Sequence, residues 1–475
     1  MRFNKLIIFL ILIISIFLIT SCSVDYEICD YNEDGIVDEI EERVCNGMRD
    51  NDSQDIAQAG ENFITYVNSP ENGDIAMLIS VPENARYDNE APIVVVASTW
   101  FVEKYTPEYT NFHLKHDPTE TGTIFVTYLW PGKSDRVTGV SSEGTYDYGG
   151  PDSLAALRDV ILFSAGEKAN NDGLYIDEMM DVVPLTDNVG LYASSHAGIV
   201  ATNVLAYYGP ELSGHVQYFI GRENPTRDEM YPLELGHFDS NRNPVYNPFY
   251  HPENYDSIEI DIDYSTLGWL VDNNHPDGVP YYVNANGDDY VWDEKGPNMD
   301  GKQYFSRALT QALLDNGALT EDSWPSDLAT PEETAEFWPY RVVVENYDEI
   351  GTWHPDLRIS LVFAEFDHVQ SAPDKPHIHQ AFDGFYHTAE LWTRMNADNV
   401  YFLEIDDSVG NNYLDNPANS EPGDWMDAED WGYYGQYGTP LYSQGGSYAA
   451  MAEMADRVKF DNWDDNLDEV LWVYE

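Results

Sequence analysis

The sequence predicts an α/β fold: a mostly parallel β-sheet with helices on both faces, interrupted by one large insertion. Three observations predict it. Short apolar runs with the length of buried strands alternate along the chain with stretches of helical spacing, and strands that alternate with helices pair in parallel. At Asp187–Gly209 the apolar run Val189 to Tyr192 meets a cluster of small residues, Ala193-Ser194-Ser195-His196-Ala197-Gly198. A helical pattern follows, with Ile199, Val200, Val204 and Leu205. Residues 222–350, rich in proline, aromatic and polar turn residues, break the alternation, which resumes at Ile359.

With 475 residues, 43% hydrophobic and 14% aromatic, the chain can build a substantial core. Its charge is far from balance: 85 acidic residues against 23 basic ones, net -62. Such a field repels phosphates and excludes a general nucleic-acid binder. The acid is spread along the whole chain, and 12 Trp and 34 Tyr separate it from a disordered acidic segment. The composition reads as a folded protein made for high salt, where self-repulsion is screened and surface carboxylates hold water and cations.

The chain begins with a targeting segment, residues 1–21. Arg2 and Lys5 precede the apolar run Leu6 to Ile19, which is shorter than the ~20 residues of a spanning helix and so favours processing over spanning. The run ends Ile19-Thr20-Ser21-Cys22, which resembles the lipobox of secreted lipoproteins. The resemblance implies an exported chain held on the membrane by lipid on Cys22. The other two cysteines, Cys29 and Cys45, can then pair in an oxidising exterior. They flank DYNEDGIVDEIE, which reads D-x-N-x-D-G-x-x-D-x-x-E. Asp30, Asn32, Asp34, the Ile36 carbonyl, Asp38 and Glu41 fall at the oxygen-ligand positions of a calcium loop, with Gly35 at its sharp turn. The stretch resembles the loops of EF-hands and dockerins, and one such loop after an anchor points to structural calcium. Residues 46–60 have linker composition.

Phe63 to Val67 and Ile75 to Val81 alternate like antiparallel strands around the turn SPENG. Pro92 to Ala97 and Ile124 to Leu129 are continuous apolar runs, as in buried strands. Residues 133–150 read as loop. Leu154, Leu157, Val160, Ile161 and Phe163 have helical spacing behind Pro151, a residue suited to a helix start. The Asp187–Gly209 stretch follows, then a strand at Val216 to Ile220. Within the insertion, Tyr304 to Leu314 is helical, and Asn284, Asn286 and Asp288 suggest a second, poorer calcium loop whose sixth and twelfth positions are Asp289 and Lys295. A strand at Ile359 to Ala364, a helix at Gln380 to Arg394, a strand at Val400 to Ile405 and a helical Ala449 to Val458 complete the series.

Strand, tight turn and helix around Ser195 form the context of a nucleophile elbow, in which a serine stands on a sharp turn at the end of a sheet. Ala193 and Ala197, two residues to either side, replace the glycines of G-x-S-x-G and keep the close approach of strand and helix. The plainer reading is a βα turn whose serines cap the helix. Backbone N–H groups of His196 and of Trp100 or Thr99, after the third strand, would form an oxyanion hole.

The ASSHAG elbow and the order of elements make the chain resemble the α/β-hydrolases, of the esterase, dienelactone-hydrolase and prolyl-peptidase type, over residues 62–221 and 355–406. The resemblance implies a core of 61–221 and 351–475, a cap over the site at 222–350, and a calcium-loop segment and linker at 22–60. It implies an exported, lipid-anchored serine hydrolase acting on an ester or amide in a small molecule or peptide. The family places its triad acid just beyond a late strand, here Asp367, with Glu365 second. Its histidine follows the last strand, and this chain has none after His387. The base then comes from the loop that carries Asp367: His379 first and His377 second, since His368 adjoins the acid. The departure keeps two other readings open: a catalytically silent surface binding protein on a hydrolase scaffold, or a metal-dependent hydrolase using His377, His379 and Asp374.

Overall fold

The computed structural model describes residues 56–97, 109–110, 121–135, 138–229, 234–238, 244–251, 260–291, 298–299, 301–363, 376–397 and 444–463. The signal segment, the cysteines, the calcium loop, Trp100, Asp367 and the expected strand at Val400 to Ile405 lie outside them.

Alternation between polar and apolar residues builds the first hairpin. β1 (Asn62–Ser69) pairs antiparallel with β2 (Gly73–Ser80), from Asn62 opposite Ser80 to Ser69 opposite Gly73. The continuous apolar runs become β3 (Glu90–Ala97) and β4 (Ile124–Tyr128). Helix α1 (Pro151–Ser164) starts on its proline. The Asp147 side chain, just before it, accepts the N–H groups of Gly150, Asp152 and Ser153. Then come β5 (Val183–Ser194), α2 (Ala197–Tyr207), β6 (Tyr218–Arg222), β7 (Arg358–Phe363) and β8 (Trp392–Ala397).

These eight strands form one sheet in the order β1-β2-β4-β3-β5-β6-β7-β8. Only β2 runs against its neighbours; every other pair beyond it is parallel. Residues on the parallel strands divide between two cores because both faces are covered. Ile93, Val95 and Ala97 of β3 join the core beneath α1 and α2, while Val94 and Val96 join a second core.

That second core is closed by α5 (Gln444–Phe460), through Ala450, Met451, Met454 and Ala455. The tail therefore supplies a whole layer. It also brings buried acid, and each carboxylate has its cation, as burial of a charge requires. Asp456 accepts Arg86 Nε and Nη2 at 2.6 Å each and the Tyr87 hydroxyl at 2.7 Å. Glu453 accepts Arg394 at 2.6 Å and Arg457 at 2.8 Å.

The insertion makes its own small sheets, including strands 268–270, 279–283 and 289–291, and a separate core with Leu267, Tyr282, Phe305, Leu309 and Leu313. Its helix α3 (Arg307–Asp315) starts later than the apolar spacing suggests, because the Ser306 hydroxyl accepts the Leu309 N–H and caps it. Asn284 to Asp288 is the turn of a hairpin. The Asn284 side-chain oxygen is taken by the N–H groups of Asn286 and Asp288, the work of a turn residue.

One element differs in kind. Instead of a helix from Gln380 to Arg394, a short α4 (Pro376–Phe382) opens into a wide turn, Asp383–Thr388, and Glu390 takes a left-handed φ of 56°. That breaks the helix, and Trp392 to Ala397 pairs with β7 as the edge strand. Apolar spacing over this stretch is compatible with a helix; the sheet edge left by β7 decides otherwise.

Candidate active site

β5 ends at Ser194 and α2 begins at Ala197, so two residues make the whole turn. Ser195 takes φ +56°, a strained conformation for a residue with a side chain. Ala193 and Ala197 are fully buried, which is why neither position carries a larger side chain. The Ser195 N–H donates to the Arg222 carbonyl at 2.8 Å, which ties the turn to the end of β6. A strained serine between the fifth strand and its helix, at the C-terminal end of a central strand in a sheet of this order, decides the fold. The chain has the α/β-hydrolase fold.

No family model matches the sequence, and no curated protein matches it. Among solved structures it is similar to an esterase from Pyrobaculum calidifontis, at 11% identity and a TM-score of 0.39, over 85% of this chain and 86% of that one. It is similar to a bacterial heroin esterase at 10% identity and a TM-score of 0.38, over 82% of each chain. Carboxyl esterase 2 of the fungus Tuber melanosporum aligns at 9% identity and a TM-score of 0.36, over 87% of this chain and 90% of that one. Likeness this distant leaves the chemistry to the residues themselves.

In this hydrolase fold the strand ends bring together groups far apart in sequence. Ser194 at the end of β5 pairs with Arg222 at the end of β6, so Ser195 and Glu223 are the first residues past two neighbouring strand ends. Glu223 also has left-handed backbone, φ +49°, and its N–H donates to Val362 O on β7 at 3.0 Å. Its carboxylate lies 2.5 Å from His377 Nε2, and both side chains are buried, at 1% and 0% exposure. Gln380, one turn further along α4, accepts the Thr226 hydroxyl at 2.8 Å and holds the helix against the same loop.

The other expected residues fall as follows. The His196 Nδ1 is 3.5 Å from Ser195 Oγ, at the outer edge of hydrogen bonding. His379 is mostly buried, and burial, with His377 next to it, pushes its pKa down to about 4. A base that weak accepts a proton poorly at neutral pH. Glu223 was not among the candidates, although the signal was present. It lies three residues past the apolar run Val216 to Ile220, as Asp367 lies three past Ile359 to Ala364. Among the described residues no group of three or more His, Cys, Asp or Glu side chains is arranged to hold a metal ion, and Asp374 lies outside them.

A second set of carboxylates lies on the same loop. The fully buried Asp228 accepts the Arg307 N–H at 2.8 Å, at the start of α3. Glu234 accepts the Tyr264 hydroxyl at 2.5 Å and the Ser306 hydroxyl at 2.6 Å. Burial, then the neighbouring Glu229, pushes Asp228 up to about 8, and burial likewise raises Glu234 well above the carboxylate range. The loop leaving β6 thus joins the elbow, the histidine helix and the insertion.

Proposed function

We propose that this protein is a serine hydrolase that cleaves an ester of a small molecule. The observation that carries the reading is the strained Ser195 just past the end of β5, with the buried Glu223–His377 pair just past the end of the neighbouring β6. A serine is a poor nucleophile until a base stands ready for its proton, and the base needs an orienting carboxylate. Ser195 Oγ attacks the ester carbonyl carbon while its proton passes to His377 Nδ1. Glu223, on Nε2, orients the ring and stabilises the imidazolium. The tetrahedral intermediate collapses with loss of the alcohol, which takes the proton from His377, and leaves Ser195 acylated. Water then attacks the acyl carbon and gives its proton to His377, and collapse of that intermediate passes the proton to Ser195 Oγ, releasing the acid and the free serine. The His196 N–H, at the start of α2, and the N–H of Trp100 are suited to hold the oxyanion. Asp367 and His379 are the acid and base of the competing assignment.

The N-terminal motifs extend the reading. The protein is exported, held on the membrane by lipid on Cys22, and braced by calcium bound through Asp30, Asn32, Asp34, Ile36, Asp38 and Glu41, with Cys29 and Cys45 paired around the loop. The deciding experiment is intact-mass analysis after a fluorophosphonate, in molar salt with calcium, alongside hydrolysis of a p-nitrophenyl ester. One adduct that is lost in Ser195→Ala, together with ester turnover, is expected. A folded protein that takes no adduct would sink the reading in favour of a silent binding protein.

A further inference from the structure

Asn224, immediately after Glu223, is 8% exposed, and neither its amide nitrogen nor its carbonyl oxygen has a hydrogen-bond partner among the described residues. No hydrogen bond within the described residues accounts for the place of this side chain, so its shape is what remains to be explained. Its surroundings show what it does. A Cβ built on Gly198, three residues past Ser195, would lie 1.9 Å from Asn224 Cγ, and one on Gly221 would lie 2.6 Å from Asn224 Nδ2. Two glycines therefore open a slot, one on the first turn of α2 and one on β6, and Asn224 fills it. The slot lies between the two backbone positions held at left-handed φ, Ser195 and Glu223.

We infer that Asn224 is a positioning residue: by its shape it wedges the elbow helix against the β6 exit and so holds Ser195 in register with the Glu223–His377 pair. The inference rests on the serine-hydrolase reading. The wedge acts through the backbone that carries the reacting groups and touches no substrate. A displacement of about 1 Å at reacting atoms can lower a rate by about 10²-fold, which is the scale expected here.

The test compares kcat, KM and the rate of fluorophosphonate labelling for Asn224→Leu, Asn224→Ala and Gly198→Ala. Leucine has the branched outline of asparagine without its polar atoms. It is expected to keep kcat within about threefold of wild type and to raise Tm, because it removes the unpaired groups. Asn224→Ala empties the slot, and Gly198→Ala collides with it from the other side. Both are expected to lower kcat and the labelling rate by about 10- to 100-fold with KM nearly unchanged. If Asn224→Ala does not fold, Gly198→Ala and Asn224→Leu still decide the matter. Loss of kcat in Asn224→Leu equal to that in Asn224→Ala would assign the role to the amide and overturn the wedge. Variants that change Tm alone would overturn any positioning role. A wild-type protein that takes no label would instead defeat the serine-hydrolase reading beneath it.

Discussion

Glu223 and Glu234 lie eleven residues apart on one loop, both buried to 1% exposure, and their partners differ in kind. Glu223 meets an imidazole, a group that can become a cation, at 2.5 Å. Among the described residues the Glu234 carboxylate meets the hydroxyls of Tyr264 and Ser306, and burial raises its pKa well above the carboxylate range; Asp228, beside it, is raised to about 8. Hydroxyl donors do not offset the loss of water around a charge as a cationic partner does. A buried carboxylate can orient a base where its partner accepts the charge. Where its partners are neutral, it is better suited to join two parts of the chain while holding a proton. On the proposed reading the first orients His377, while the second fastens the cap of the insertion helix α3.

The largest expected effect breaks the first half of that comparison. Glu223→Gln keeps the shape and removes the charge, and kcat/KM for a p-nitrophenyl ester is expected to fall by about 10³- to 10⁴-fold with Tm nearly unchanged. Wild-type activity in that variant would return the acid to Asp367. The same assay on the histidines should separate them: His377→Ala falls comparably, and His379→Ala by about tenfold or less. The reverse order would restore His379 as the base.

A third buried carboxylate sharpens the contrast, since Asp456 has a full cationic partner in Arg86. Removing that partner leaves an uncompensated charge, so Arg86→Ala is expected to lower stability by about 3–5 kcal/mol in urea melts. No such loss would mean that the Arg86–Asp456 pair does not help to hold the tail layer.

The joint at α3 should show itself in pH. Asp228 binds its proton more tightly folded than unfolded, so it destabilises the fold when ionised. That penalty is fully present above its folded pKa of about 8 and is relieved as pH falls toward the ordinary aspartate value of about 4. Relative to Asp228→Asn, wild-type Tm should therefore rise as pH falls through this window, measured at molar salt to screen the other carboxylates. Parallel Tm profiles for the two proteins would count against a proton on Asp228. The smallest effect concerns the calcium loop: a chelator should lower Tm while the rate below the transition is retained. Lost turnover without a change in melting would exclude a structural calcium.

Local structure could be read from the residues alone. The strand runs, the helix behind Pro151, the strand–turn–helix at Ser195 and the small residues Ala193 and Ala197 were legible because each is written in consecutive residues and their spacing. Their order was enough to expect a mostly parallel sheet covered on both faces. The rest depended on which distant surfaces meet. Glu223 and His377 are 154 residues apart in the chain, and Arg86 and Asp456 are 370 apart. No periodicity relates such pairs. The stretch from Asp383 to Ala397 became turn and strand, rather than helix, because β7 offered an open edge. Helix α5 became the second layer because its small and apolar residues meet the uncovered face of the sheet and its buried Asp456 and Glu453 find Arg86 and Arg394 there. Burial makes polar partners obligatory, and only the packed fold decides which residues those partners are.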